Sequence, residues 1–481
     1  MTQHSPSSTS QTTERSSPPA FSAFLQLPHQ SGEGRVLVGK DALVLDSLFF
    51  QCALPYEEIL SFSPLAGGLE IQVAAGAHTL ARMGQSAQWL YQALWNAYNR
   101  RVLQALGVEG GPLFETEGHY AYGEGANQCR GRAKIQLFSD CLCLLPPSRE
   151  GRRIPLRFLC ECKRETHTIV FVLQTGERYA LLGLGRDMDP LERQLADCLC
   201  ALREESATQA GEIEPSLSPA QRVLAAQLLP KGVSAPLKKV AAVLPSLAKA
   251  VEQLLSTGKM AETYPLLCEL CGSQQEWVGI LPAPPVETNP LAASLPAPPE
   301  LPQLIRFSPS PIDDAPAGEE GEPSSCPWIL WSIFPSPNRT LAVVEFAIPG
   351  EDTATYLFHT GGNWKSFLPL LARGLEAAGL RREIFSLSNE ELSASPNELS
   401  RMAVQRTPPL EELRHRFAGR VIHRTPASWR CQLERLFAAS PEIRETRQPT
   451  NSVPAHRFCG RCGAPLAQGR LFCGHCGEKL T

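Results

Sequence analysis

No run of about 18 apolar residues occurs in this 481-residue chain, which excludes a membrane-spanning helix. Met1 to Pro19 is rich in Ser, Thr, Gln and Pro and lacks the basic and apolar regions of a secretory signal. The expected compartment is therefore cytoplasmic, where the 16 cysteines are thiols or metal ligands and not disulfides. Strong charge of one sign is also missing: the net charge is −4, which by itself calls for no partner. The familiar catalytic signatures are absent as well. There is no G-x-S-x-G, no P-loop, no H-E-x-x-H, and no G-x-G-x-x-G after a strand. A non-enzymatic chain is the expectation.

The chain holds 42 prolines, too many for one fully packed globule, so part of its length is linker. At roughly 100–150 residues per domain, three to four domains are expected. Residues 1–20 read as a disordered tail. Residues 281–327 read as a Pro-rich, disordered linker carrying the acids Asp313, Asp314, Glu319, Glu320 and Glu322. That linker is expected to divide the protein into an N-terminal and a C-terminal half.

An internal repeat runs through the N-terminal half. Asp41-Ala-Leu-Val-Leu matches Asp140-Cys-Leu-Cys-Leu, Leu54-Pro55 matches Ile154-Pro155, and Ile59 to Phe62 matches Leu159 to Cys162. Leu69 to Val73 matches Thr168 to Val172, and a helix comes next in each copy. Trp89, Leu90, Leu94 and Tyr98 mark the first helix; Leu191, Leu195, Leu199 and Leu202 mark the second. Residues 34–107 and 113–204 are thus two copies of one small domain, several antiparallel strands and then a helix. This order resembles the pleckstrin-homology-like (PH-like) or GRAM-like fold, a bent β-barrel or sandwich capped by its last helix. The resemblance implies a binding scaffold for lipid, peptide or protein, without choosing among them.

Residues 218–280 read as a helical segment with an apolar stripe from Leu237 to Leu255, in which Pro245 is expected to kink or split the helix. Residues 328–439 read as an α+β domain: strands near Ile329–Phe334, Thr340–Ile348 and Thr353–Phe358, a helix carrying Trp364, Phe367, Leu368 and Leu371, and a last helix from Ala427 to Ala438. The middle strand has one charge, Glu345, so both of its faces are expected to be covered. The fold class is multidomain α+β.

The tail, residues 456–481, carries Cys459-Gly-Arg-Cys462-Gly and Cys473-Gly-His-Cys476-Gly. Two cysteines three apart on a tight turn can reach one ion, and a second such turn completes a tetrahedron. Gly463 and Gly477 suit the left-handed backbone that such turns use. This pattern resembles a zinc ribbon of the bacterial type. Cys459, Cys462, Cys473 and Cys476 are the expected zinc ligands, and a four-sulfur site has no open position for substrate, so its role is structural. So short a segment cannot bury enough surface to fold alone, whereas zinc binding contributes on the order of 10–16 kcal/mol in comparable peptides.

Three further pairs, Cys141-x-Cys143, Cys160-x-Cys162 and Cys198-x-Cys200, invite a second metal site. The repeat sets the first two pairs against Leu43 and Leu45, and against Leu60 and Phe62, which makes them core positions. Cys268-x-x-Cys271 is expected to pack on an apolar helix. His359-Thr360-Gly361-Gly362 reads as a turn before a helix, or as an anion site at the helix N-terminus. The cluster Arg149, Arg152, Arg153, Arg157, Lys163 and Arg164 is interrupted by acids, so peripheral membrane contact through the second copy is not expected.

From Arg414 to Thr481, twelve Lys/Arg face four acids, a local balance of +8 that suits nucleic acid, an acidic protein surface or plain solvent. The leading reading is a cytoplasmic scaffold or adaptor working through protein–protein interaction; the alternative is a nucleic-acid-binding protein using the basic tail and ribbon. Elemental analysis of the purified chain is expected to give one zinc per molecule, lost on Cys459→Ser with Cys462→Ser. Two zincs per molecule would place metal among the remaining cysteines instead.

Overall fold

The computed structural model describes residues 19–123, 128–272, 275–283, 327–349, 354–379, 381–423, 425–439, 457–458 and 465–466. They fall into two units, Met1–Ala439 and Ser440–Thr481. The structure is mixed α+β with several antiparallel sheets. The expected tail, residues 1–20, lies outside the described residues apart from its last two.

The first copy contains strands β1 (Ala20–Leu27), β2 (Gln30–Val38), β3 (Ala42–Ser47), β4 (Gln51–Pro55), β5 (Ile59–Leu65), β6 (Gly68–Val73) and β7 (Gly76–Ala81), then helix α1 (Ser86–Ala105). The sheet order is β4-β3-β2-β1-β7-β6-β5, so β1 is its central strand. The domain therefore begins at Ala20 and not at residue 34. Inward residues alternate along each strand, as Val36 and Val38 on β2 and Leu43 and Leu45 on β3 do. Helix α1 covers the sheet with Leu90, Leu94, Tyr98 and Val102 buried, while Trp89 turns outward at 73% exposure.

The second copy has β8 (Phe114–Tyr122), β9 (Cys129–Leu137), β10 (Cys141–Leu145), β11 (Arg152–Pro155), β12 (Leu159–Glu165), β13 (Thr168–Leu173), β14 (Arg178–Leu182) and helix α2 (Met188–Ile213). Its order, β11-β10-β9-β8-β14-β13-β12, repeats the first sheet strand for strand.

The register corrects the expected place of the cysteines. Val36 pairs with Leu45 and Ile135 pairs with Leu144, so Leu142 and Leu144 are the counterparts of Leu43 and Leu45. Cys141 and Cys143 stand one residue away, on the opposite face of the sheet. That face packs into the core of the first copy together with Phe138 and Leu145, while Trp95 Nε1 donates to Leu145 O at 3.0 Å. Both thiols are fully buried in the seam between copies, and the neighbouring Cys143 together with burial pushes the Cys141 thiol far above its ordinary value. Cys160 and Cys162 are exposed, not core: they lie on the outer strand β12, where the edge leaves them in solvent.

After α2 come α3 (Pro219–Leu228), β15 (Ala235–Pro236), α4 (Leu237–Val243), α5 (Pro245–Leu255), α6 (Thr263–Cys271) and β16 (Trp277–Pro282). Pro245 begins α5 and separates it from α4, because it has no N–H to give the preceding turn. Next are β17 (Trp328–Pro335), β18 (Leu341–Ala347), β19 (Ala354–His359), α7 (Trp364–Ala378), α8 (Asn389–Ser393), α9 (Glu398–Arg406), α10 (Pro408–Arg416), β20 (Phe417–Ile422) and α11 (Pro426–Ala439).

One sheet, β15-β16-β17-β18-β19-β20, joins these elements. Trp277 pairs with Ile333 and Pro282 with Trp328, so the strands on either side of the Pro-rich segment are neighbours. The expected division at residues 281–327 is thereby overturned, and so is a separate helical segment over 218–280. The Pro-rich segment enters and leaves at one end of a strand pair, and residues 284–326 lie outside the described ones. Every residue of β17 and β18 is buried, because α4–α6 with α11 cover one face and α7–α10 the other.

Burial sets the order of thiol reactivity. With iodoacetamide on the native chain, Cys160, Cys162, Cys200 and Cys431 are expected to label first, and Cys141, Cys143 and Cys198 only after denaturation, read by peptide mass spectrometry. Native labelling of Cys141 at the rate of Cys160 would show that the seam is open.

Candidate functional site

The four expected zinc ligands, Cys459, Cys462, Cys473 and Cys476, lie outside the described residues. Two short strands flank the first pair: β21 (Arg457–Phe458) and β22 (Pro465–Leu466) are antiparallel, with Phe458 opposite Pro465. Among the described residues, no group of three or more His, Cys, Asp or Glu is placed to hold a metal ion. Cys268 and Cys271 sit half-buried on α6. Cys268 Sγ lies 3.8 Å from the Glu276 carboxylate, which also accepts from Tyr264 Oη at 3.0 Å. Burial raises the Glu276 carboxyl to about 7 and, with that carboxyl beside it, the Cys268 thiol to about 12.

The two copies differ at their outer strands. In the first, the β5 edge is partly closed by the second copy: Phe62 N donates to Pro147 O and Arg149 N to Leu60 O, both at 2.9 Å, and Ser61 bridges Ser148 antiparallel. This is a one-residue bridge of the kind that strand addition extends, made between domains of one chain. In the second copy the equivalent strand, β12, pairs with β13 alone among the described residues. Its hairpin turns on Thr166-His167, with Glu165 opposite Thr168. A two-residue turn makes that closing pair hydrogen-bonded, and the pattern alternates along the ladder. The backbone N–H and C=O of Cys162 and Arg164 therefore point away from β13, to the open edge. Cys162 is the counterpart of Phe62, whose N–H takes the added strand in the first copy.

Apart from Arg149, the basic cluster of the second copy is spent on partners within the chain. Arg153 pairs with Asp140 at 2.7 Å and with Glu376, Arg157 with Glu205 at 2.8 Å, and Arg164 with Asp189 and Glu192 at 2.6 and 2.7 Å. Arg152 pairs with Glu150 and Lys163 with Glu161. Several charges of the C-terminal balance are also committed: Arg416 to Glu412 at 2.6 Å, and Arg430 to Glu434 and Glu269 at 3.0 and 3.1 Å. Thr360 and the two glycines make a turn, with Thr360 Oγ1 donating to Arg339 O at 2.7 Å and Asn363 capping α7.

A polar cluster that the sequence did not announce lies in the third sheet. The fully buried Glu345 accepts from Thr355 Oγ1 at 2.6 Å, and its other oxygen lies 3.2 Å from His423 Nε2. Trp429 Nε1 donates to Thr355 Oγ1 at 2.8 Å. His423 and Trp429 form one wall of a surface cavity of about 360 Å³. The only hydroxyl bonded to His423 among the described residues is that of Thr355, already held by Glu345 and Trp429. The cluster has no free nucleophile and acts as a polar pin through β18, β19, β20 and α11. The signal available in sequence was a lone acid on an otherwise apolar strand.

No family model and no curated protein matches this chain. Among solved structures, one described as "Structure of the Spt16D Pob3N heterodimer" aligns at 16% identity over 33% of this chain and 84% of that one, with a TM-score of 0.15. At that score the likeness carries no argument.

Glu345→Ala leaves Thr355 and His423 facing a void and is expected to lower stability by about 3–5 kcal/mol in chemical denaturation. A loss below about 1 kcal/mol would show that the cluster is not a pin.

Proposed function

We propose that this protein is a non-enzymatic, cytoplasmic, zinc-binding scaffold that holds a protein partner by strand addition at β12. In this reading the two sheet-and-helix copies are PH-like domains. The tail is a zinc ribbon in which Cys459, Cys462, Cys473 and Cys476 hold one structural zinc ion.

One observation carries the docking reading. Among the described residues, the same edge of the same domain takes a short bridging segment in the first copy and pairs with nothing further in the second. The outward groups of Cys162 and Arg164 supply main-chain hydrogen bonds, and the charges of Glu161, Lys163 and Glu165 select an extended segment of alternating charge. Those charges also discourage indiscriminate edge pairing. The ribbon reading rests on the spacing of the four cysteines and on the strand pair that flanks the first two. Nucleic-acid binding by residues Arg414 to Thr481 is the second reading, resting on the +8 balance of that stretch.

Cys162→Pro removes the outward N–H and leaves the β13 ladder intact, so it separates docking from folding. Affinity capture with the full chain is expected to recover a partner that Cys162→Ser retains and Cys162→Pro loses. Equal recovery by the Pro variant rejects docking at β12, and no partner at all rejects the scaffold. Binding to DNA or RNA that weakens steeply with salt would favour the second reading.

A further inference from the structure

Between the second copy and the third sheet lies a cavity of about 240 Å³. Phe158 closes it from the second copy, Trp331 and Phe346 from β17 and β18, and Leu375 from α7. The Trp331 ring is fixed in advance: its Nε1 donates to Ser234 Oγ at 2.8 Å, and on the neighbouring strand Gly279 makes room for it. A Cβ at Gly279 would stand 2.0 Å from the ring. The opposite side is kept open by Gly232, at φ +75°, where a Cβ would come within 3.3 Å of both Arg157 Nη1 and Leu281 Cδ1.

Three charged groups border this apolar space: Asp140, Glu376 and Arg157. Asp140 is held by Arg153 at 2.7 Å. Glu376 gives one oxygen to Arg153 and the other to Arg373, at 2.6 Å for the latter. Arg157 borders the cavity as its cation and, like Arg153 behind it, keeps one donor over. Its Nη1 donates to Lys231 O at 3.0 Å and its Nη2 to Glu205 at 2.8 Å, but its buried Nε finds no acceptor among the described residues. A buried guanidinium N–H without an acceptor is costly, and a charged donor prefers a charged acceptor.

We infer that this cavity is a binding site for a small monocarboxylate with an aromatic or short branched body. The body packs against Trp331 and Phe346, and the carboxylate accepts from Arg157 Nε. The size selects the class: a cavity of about 150 Å³ holds one benzene ring, so this one holds one or two fused rings and no more than a single side chain of a protein. A peptide or a lipid with a long tail does not fit. The site is separate from the β12 edge and does not depend on the scaffold reading.

The test is calorimetric titration of the full chain with three probes of one shape: 2-naphthoate, 2-naphthol and 2-naphthylmethylamine. The naphthoate is expected to bind at least about tenfold tighter than the other two, the difference a charge-assisted hydrogen bond supplies. Ile348→Trp, which fills the cavity, is expected to abolish binding of all three. Arg157→Met is expected to remove the preference for the acid while leaving naphthol unchanged. The comparison of probes on the unaltered chain needs no variant to fold. No naphthoate binding at about 1 mM, equal or better binding of the amine, or undiminished binding to Ile348→Trp would each overturn the assignment.

Discussion

Arg153 is the tie on which the arrangement of the second copy and the third sheet depends. It is almost wholly buried between them, holding Asp140 of its own domain and Glu376 of α7, while Arg373 of α7 donates to its carbonyl at 3.0 Å. Burial alone would push the Glu376 carboxyl up, but the two guanidiniums outweigh it and hold the group below its ordinary value. The carboxylate stays ionised above that range and lends stability there, which is lost only as acid protonates it. Arg153, Glu376 and Arg373 are taken from water together and need each other, while Asp140 meets Arg153 from the solvent side. Removing Glu376 would leave two buried guanidiniums without their shared counter-charge.

The first copy is bound to the same body by a similar device. Arg406 of α9 donates to Tyr98 of α1 at 2.6 Å, Arg101 of α1 meets Glu398 of α9, and Arg381 donates to Ala105 O at 3.0 Å. Arginine is suited to these seams because its planar fork serves two or three acceptors at once. The result is one body up to Ala439 in which the copies and the third sheet share buried contacts, and not a string of independent modules. The cysteine pair on β10 serves the same seam through packing, as small apolar groups, and burial beside Cys143 keeps the Cys141 thiol protonated.

The repeat was legible because inward residues of paired strands keep their character: Leu43 and Leu142, Leu45 and Leu144 occupy equal positions. Cys141 and Cys143 are buried as expected, but in the seam and not inside their own copy, because in a strand one residue exchanges one face for the other. Helices and strands with a clear period, such as α7 and β18, were found near their observed bounds. The pairing of β16 with β17 was hidden, because local patterns carry no record of which distant strand lies beside them. The same holds for the polar pin, where Thr355 and His423 are 68 residues apart. β1 was missed because its alternation adjoins a Ser- and Pro-rich stretch that reads as a tail.

Among the described residues, duplication gives this chain one partly covered edge, at β5, and one uncovered equivalent, at β12. The segment that covers β5 comes from between β10 and β11 of the second copy, at Pro147 to Arg149. The matching segment of a third copy, which could cover β12, has no counterpart in the described chain: beyond α2 the backbone enters a helical run that leads into a different sheet. A tandem pair built this way leaves its last edge without a neighbouring strand, with the N–H and C=O groups of alternate residues facing water. Charges on β12 keep that edge soluble, yet the main-chain groups remain free to pair. An extended segment laid along β12 would satisfy them without altering the fold.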